Sequence, residues 1–173
     1  MALLAIAYPE IVTADLELIQ QYRCKYDKLY YDIVGPHFTL VFPIHEQSQA
    51  AFVSEIKKQL SGMTPISFCF KKAVVHKDEL SDMWFSFLVP DEGFANIKQL
   101  HDKLYGDKFS QFHRRDIEYV PHITIGHFES EAACNKIVRE WNSNEPSIKG
   151  IISSVDIVSF GRGKVSTIER VAF

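Results

Sequence analysis

The sequence predicts an α+β fold: one unit with two lobes around a cleft. Three observations lead there. Strand-like and helix-like hydrophobic periods succeed one another along the whole chain. The segment Pro36-His37-Phe38-Thr39-Leu40 recurs as Pro121-His122-Ile123-Thr124-Ile125, at the matching point of a second series of elements. No Pro/Gly/Ser-rich linker separates the two series, so residues 1–173 read as a single bilobal domain, its first half about 1–78 and its second about 79–173.

In order, residues 3–8 form a short buried strand closed by Pro9. Thr13 is placed to cap a helix running to about Tyr26, with Leu16, Ile19, Tyr22 and Tyr26 at helical spacing. Residues 30–35 connect to a β-rich run at 37–43. Residues 47–60 are amphipathic, with Phe52, Ile56 and Leu60 on one stripe, and Ser61-Gly62 ends them. Strands at 66–76 and 83–89 are joined by a turn at 77–82. A helix at 91–105 stops before Gly106, and 107–118 reads as a polar, basic loop. A strand at 122–128, a helix at 131–141 and a final hairpin of 151–160 with 164–173, across Gly161-Arg162-Gly163, complete the chain.

Composition limits the partners. Apolar residues make up 46% of the chain and aromatic residues 13%, enough for a sizeable core. Nineteen Lys and Arg stand against 22 Asp and Glu. Proteins that coat a nucleic-acid backbone carry a basic excess, so a nucleotide or an RNA end fits this balance and a long duplex does not. Cys24, Cys69 and Cys134 lack C-x-x-C spacing and suggest neither a disulfide framework nor a zinc site; Cys69, between Phe68 and Phe70, reads as core. The apolar opening has no basic flank and runs into Pro9, and no stretch approaches the ~18 residues of a membrane span. A monomer in the cytoplasm is the expectation.

The repeated motif carries the chemistry. Side chains alternate across a strand, so His37 and Thr39 share one face while Phe38, Leu40 and Phe42 share the other. His122 and Thr124 share a face opposite Ile123 and Ile125. Pro36 and Pro121 fix the backbone before each histidine. Imidazole moves protons near neutrality, and cleaving a phosphodiester in line needs one base and one acid. Two histidines supply both, and two threonine hydroxyls can donate to the non-bridging oxygens. A lone His in a strand is usually structural; the pairing of two such segments is what points to catalysis. No cofactor or metal is called for.

On these residues, His37-Phe38-Thr39-Leu40 and His122-Ile123-Thr124-Ile125, the chain resembles the 2H phosphoesterase superfamily, which includes 2′-5′ RNA ligase-like proteins and cyclic nucleotide phosphodiesterases. The resemblance covers essentially the whole chain. It implies a pseudo-twofold pair of antiparallel sheets with flanking helices and a central cleft. It implies metal-independent opening of 2′,3′-cyclic phosphates of nucleotides or RNA ends, with His37 and His122 as acid and base and a 2′-phosphate as product. Some relatives join RNA ends by a 2′-5′ bond, the same path reversed, so ligation is the alternative reading. A module that holds a nucleotide or RNA end without turning it over is another.

Further substrate contacts are expected from five residues. His127 stands where relatives often place a phosphate-contacting Arg, although strand parity turns it away from His122 unless a bulge intervenes. Arg114 and Arg115, after His113, make the densest basic run and suit phosphate oxygens. Tyr8 and Tyr119 are placed to stack on a base. A metal site is disfavoured, since no His-x-His or His–carboxylate cluster is visible in the sequence.

Overall fold

A computed structural model describes residues 1–78 and 81–173. Among them, nine strands form two antiparallel sheets. The first sheet has the order β3-β1-β8-β9, with β1 Ala2–Ala7, β3 Phe38–Ile44, β8 Ser154–Gly161 and β9 Lys164–Ala172. The second has the order β2-β7-β4-β5-β6, with β2 Glu10–Ile11, β4 Ile66–Lys77, β5 Trp84–Glu92, β6 Ile123–Phe128 and β7 Ile148–Ile152. β1 is aliphatic on both faces because it lies inside its sheet, and nearly all its side chains are buried.

The sheets do not follow the sequence halves 1–78 and 79–173. β4 belongs by sequence to the first half yet joins the second sheet, and β8 and β9 return to the first. The run expected as one strand at 151–160 is in fact split. β7 ends at Ile152 and β8 starts at Ser154 in the other sheet, with Ser153 as the crossing point. Ile152 and Val155 are both buried on either side of Ser153-Ser154, so apolar burial resumes past the crossing and hides it from a reading of hydrophobic period.

Four helices pack on the sheets: α1 Thr13–Tyr26, α2 Gln49–Leu60, α3 Phe94–Leu104 and α4 Glu131–Asn142. Ser48 and Ser130 cap α2 and α4, each hydroxyl accepting from the amide three residues on (Ala51, Ala133), a bond worth about 1 kcal/mol. Thr13 is not a cap: it is the first residue of α1, and Val12 precedes it. α3 begins later than expected, because Asp91 and Glu92 complete β5 and Gly93 turns the chain at φ 85°. A Cβ at Gly93 would lie 2.5 Å from the Ser67 carbonyl oxygen, so a side chain is excluded on two grounds.

The expected loop at 107–118 starts with a 3-10 helix, Asp107–Phe112, because fully buried Phe109 anchors it against Phe52. The expected turn at 77–82 includes residues 79 and 80, which lie outside the described residues. Cys69 and Cys134 are core residues and Cys24 is exposed. Among the described residues, no helix is long and apolar enough to cross a membrane.

Candidate active site

The two motif strands are edge strands. β3 closes one side of the first sheet and β6 closes one side of the second, which brings the motifs to one cleft. Phe38, Leu40, Ile123 and Ile125 are buried in the core, while His37, Thr39, His122 and Thr124 all line a single cavity of about 290 Å³. That size lies near the lower end of the ~300–1,000 Å³ usual for small-molecule sites. α1 lies against β6, and Gly126 permits it: a Cβ there would come within 2.8 Å of Tyr26 Cβ.

Each histidine precedes its strand and is held by the same backbone device. His37 Nδ1 lies 2.8 Å from the Gly35 carbonyl oxygen, and His122 Nδ1 lies 2.6 Å from that of Val120. Both acceptors are the residue before the motif proline, whose ring fixes the direction of the preceding peptide. In the neutral ring Nδ1–H donates to that carbonyl, so Nε2 carries the lone pair. Burial pushes the His37 imidazole below its ordinary value. Burial, helped by neighbouring His76 and by His37 itself, holds His122 at about 4. Neither ring has a carboxylate on Nδ1 to offset this. Both are neutral near pH 7, and the field of a bound phosphate anion is what would favour protonating one of them.

The surroundings differ. His122 stacks on Phe87, ring centroids 3.6 Å apart and planes at 15°. His76 stacks on the same phenyl at 4.8 Å, making a row across β4, β5 and the start of β6. His37 meets Tyr8 edge-on at 6.2 Å, so Tyr8 lies against the imidazole. Its hydroxyl is pushed up by burial and by the Asp156 carboxylate.

Two residues that sequence reading passed over line the cavity beside His37: Arg23 and Asp27. Both are almost fully buried, and Arg23 Nη2 lies 2.8 Å from Asp27 Oδ2. The same nitrogen donates to the Val34 carbonyl at 2.8 Å and the Tyr30 carbonyl at 3.3 Å. Arg23 therefore fastens the 30–35 connection that delivers His37. The available signal was an arginine four residues after Ile19 on the buried stripe of α1, with an acid four residues further on.

His127 joins this group. Opposite Ser86 and Phe87 the strand β6 carries one extra residue, Ile125, so Phe87 opposes Thr124 while Phe85 opposes His127. His127 thereby comes to the same side as Phe85, and its Nδ1 lies 3.4 Å from Asp27 Oδ1. It is held behind the cavity rather than in its lining.

The other expected contacts are placed elsewhere. Tyr119 is buried, its hydroxyl donates to the Thr39 carbonyl at 2.9 Å, and one ring face is covered by His101 at 3.6 Å. It ties the approach to β6 onto β3, and that face is closed to a base. Arg114 and Arg115 are exposed and do not line the motif cavity; Arg114 pairs with Asp116 at 2.7 Å. Contrary to the expectation of no His–carboxylate cluster, the fold gathers His101, Asp102 and His113, with donor atoms within 4.8 Å of one another. None of the three lines the motif cavity.

Comparison with known proteins agrees with this fold. Among solved structures, Escherichia coli LigT complexed with 3′-AMP superposes with a TM-score of 0.57 at 20% identity, covering 99% of this chain and 97% of that one. TT0787 of Thermus thermophilus gives 0.62 at 12% identity, covering 99% and 97%. Kluyveromyces marxianus Usb1 gives 0.53 at 7%, covering 96% and 97%. These likenesses establish the fold. A search of curated proteins gives no match. A family model described as the 2′-5′ RNA ligase superfamily matches residues 9–164 and takes in both His-x-Thr motifs, so the chain belongs to the 2′-5′ RNA ligase superfamily, the 2H phosphoesterases.

Proposed function

We propose that the chain is a phosphodiesterase that opens 2′,3′-cyclic phosphates of nucleotides or RNA ends by acid–base catalysis between His37 and His122. The observation that carries this reading is the matched pair of Nδ1–carbonyl bonds, which leaves both Nε2 atoms to exchange protons in one cavity. One Nε2 takes a proton from the attacking water as its oxygen bonds to phosphorus. The other, protonated once the anion is bound, gives its proton to the ribose 3′ oxygen as that P–O bond breaks. The product is the 2′-phosphate, and the two histidines have exchanged protonation states. Thr39 and Thr124 donate hydroxyl hydrogen bonds to the non-bridging oxygens. The 3′-AMP carried by the LigT structure supports a nucleotide in the cleft.

The test is turnover of a nucleoside 2′,3′-cyclic phosphate in excess chelator, followed by phosphorus NMR. A single new 2′-monophosphate is expected. Turnover that appears only when a divalent metal is restored would contradict the proposal.

A further inference from the structure

The cleft is poor in positive charge for a site that handles an anion. In the motif cavity, Leu4, Ile6, Val158, Phe160 and Val165 form an apolar wall from the first sheet. The charged lining residues there are Arg23 and Asp27, engaged with one another. A second cavity of about 260 Å³ shares His122, Thr124 and Phe42 with the first, and its charged lining residues are Asp78 and Glu118, beside His76, Phe85 and Phe87. Across both, among the described residues, one guanidinium stands with three carboxylates.

We propose that this site selects substrates with a single phosphate, a nucleoside cyclic phosphate whose remaining parts are uncharged, and discriminates against any that carry a second. The proposal rests on the function given above and narrows its substrate. A cyclic phosphodiester carries one negative charge, which one imidazolium balances, while the threonine hydroxyls are neutral donors. A second phosphate, on the 5′ oxygen or in the next RNA linkage, meets either the apolar wall or the Asp78 and Glu118 carboxylates. The first strips its water without supplying a counter-charge, and the second repels it. Proteins that track a nucleic-acid strand line their grooves with Lys and Arg, whereas among the described residues Arg23 is the one such side chain in these walls. Arg114 lies in the adjoining cavity past Phe42 and Pro43, where Asp116 pairs with it. The apolar wall suits the face of a base.

The experiment has a binding arm and a turnover arm. By calorimetry, adenosine 3′-monophosphate is compared with adenosine 3′,5′-bisphosphate between about 50 and 200 mM salt. The bisphosphate is expected to bind about 3-fold or more weaker, with a log–log salt slope for the monophosphate of about one or less. Bisphosphate binding about 10-fold tighter, a slope of about two or more, or no monophosphate binding at all overturns the proposal. In turnover, adding a 5′-phosphate to adenosine 2′,3′-cyclic phosphate, or placing it at the end of an oligonucleotide, should lower kcat/KM about 10-fold; an increase overturns it. The double variant Asp78→Asn, Glu118→Gln should narrow the gap between mono- and bisphosphate, and an unchanged gap overturns the assignment to these carboxylates. If no cyclic phosphate is hydrolysed yet the monophosphate outbinds the bisphosphate, the reaction assigned above fails while the single-phosphate preference stands.

Discussion

His37 and His122 stand at the ends of two edge strands, oriented by the same bond to the carbonyl two residues back, yet they sit in unlike neighbourhoods. The first is reached by a loop that the buried Arg23 fastens, and it meets Tyr8 edge-on. The second is approached by a segment held in another way. It lies flat on Phe87, with His76 on that phenyl as well and Tyr119 tying the preceding segment to the opposite strand. The repeated part is backbone geometry, fixed by Pro-His-x-Thr. The unrepeated part is the support that each lobe builds from its own side chains. Catalysis by a proton-exchanging pair requires that the rings differ in protonation during the reaction, so unlike surroundings around like backbones suit the task.

The largest effects should be symmetrical. His37→Ala and His122→Ala are each expected to lower kcat/KM by about 10²–10⁴-fold on a cyclic phosphate, with the double variant little worse than either single one. Losses that multiply would mean two independent sites of action. Next in size is an effect confined to the first motif. Arg23→Met leaves Asp27 buried without its guanidinium and should cost about 3–5 kcal/mol, lowering Tm by about 6–20 °C in thermal unfolding. A change of under about 1 kcal/mol would show that the ion pair does not hold the connection before His37. The smallest effects belong to the ring contacts. Phe87→Leu removes the stack on His122 and should cost about 0.5–1.5 kcal/mol of transition-state stabilisation, about 2- to 10-fold in kcat/KM. Tyr8→Phe keeps the edge contact and should fall within about 2-fold of the wild type. Equal losses in the two variants would erase the distinction between the lobes.

Much of this was legible in the sequence because it is periodic or repeated. The bounds of α1, the buried faces of β3 and β6 and the convergence of His37, Thr39, His122 and Thr124 all follow from alternation and from the recurring motif. The parts that escaped are those where one tertiary contact outweighs local pattern. Ser153 passes from one sheet to the other between buried Ile152 and buried Val155, so the two strands read as one. The bulge at Ile125, opposite Ser86–Phe87, gives His127 a face that a straight strand would deny it. Phe109 draws a polar segment into the core as a 3-10 helix. Arg23 and Asp27 are passed over, because what buries Arg23 is its pairing with Asp27 and with the carbonyls of the distant 30–35 connection. Arg114 and Arg115, marked by the densest basic run of the sequence, lie outside the lining of the motif cavity, and Arg114 lines the adjoining one.

The central claim is that the two motifs work as one acid–base pair. The pH profile of kcat/KM on a nucleoside 2′,3′-cyclic phosphate, recorded for the wild type and for each histidine variant, tests it most directly. Both imidazoles are lowered from 6.5 by burial, so the free enzyme's bell should peak below pH 6.5: activity rises as the base loses its proton and falls as the acid loses its own. One variant should then keep only the rising limb in its residual activity and the other only the falling limb, which also assigns base and acid. Loss of the same limb in both variants, or a maximum above about pH 7, would contradict the account.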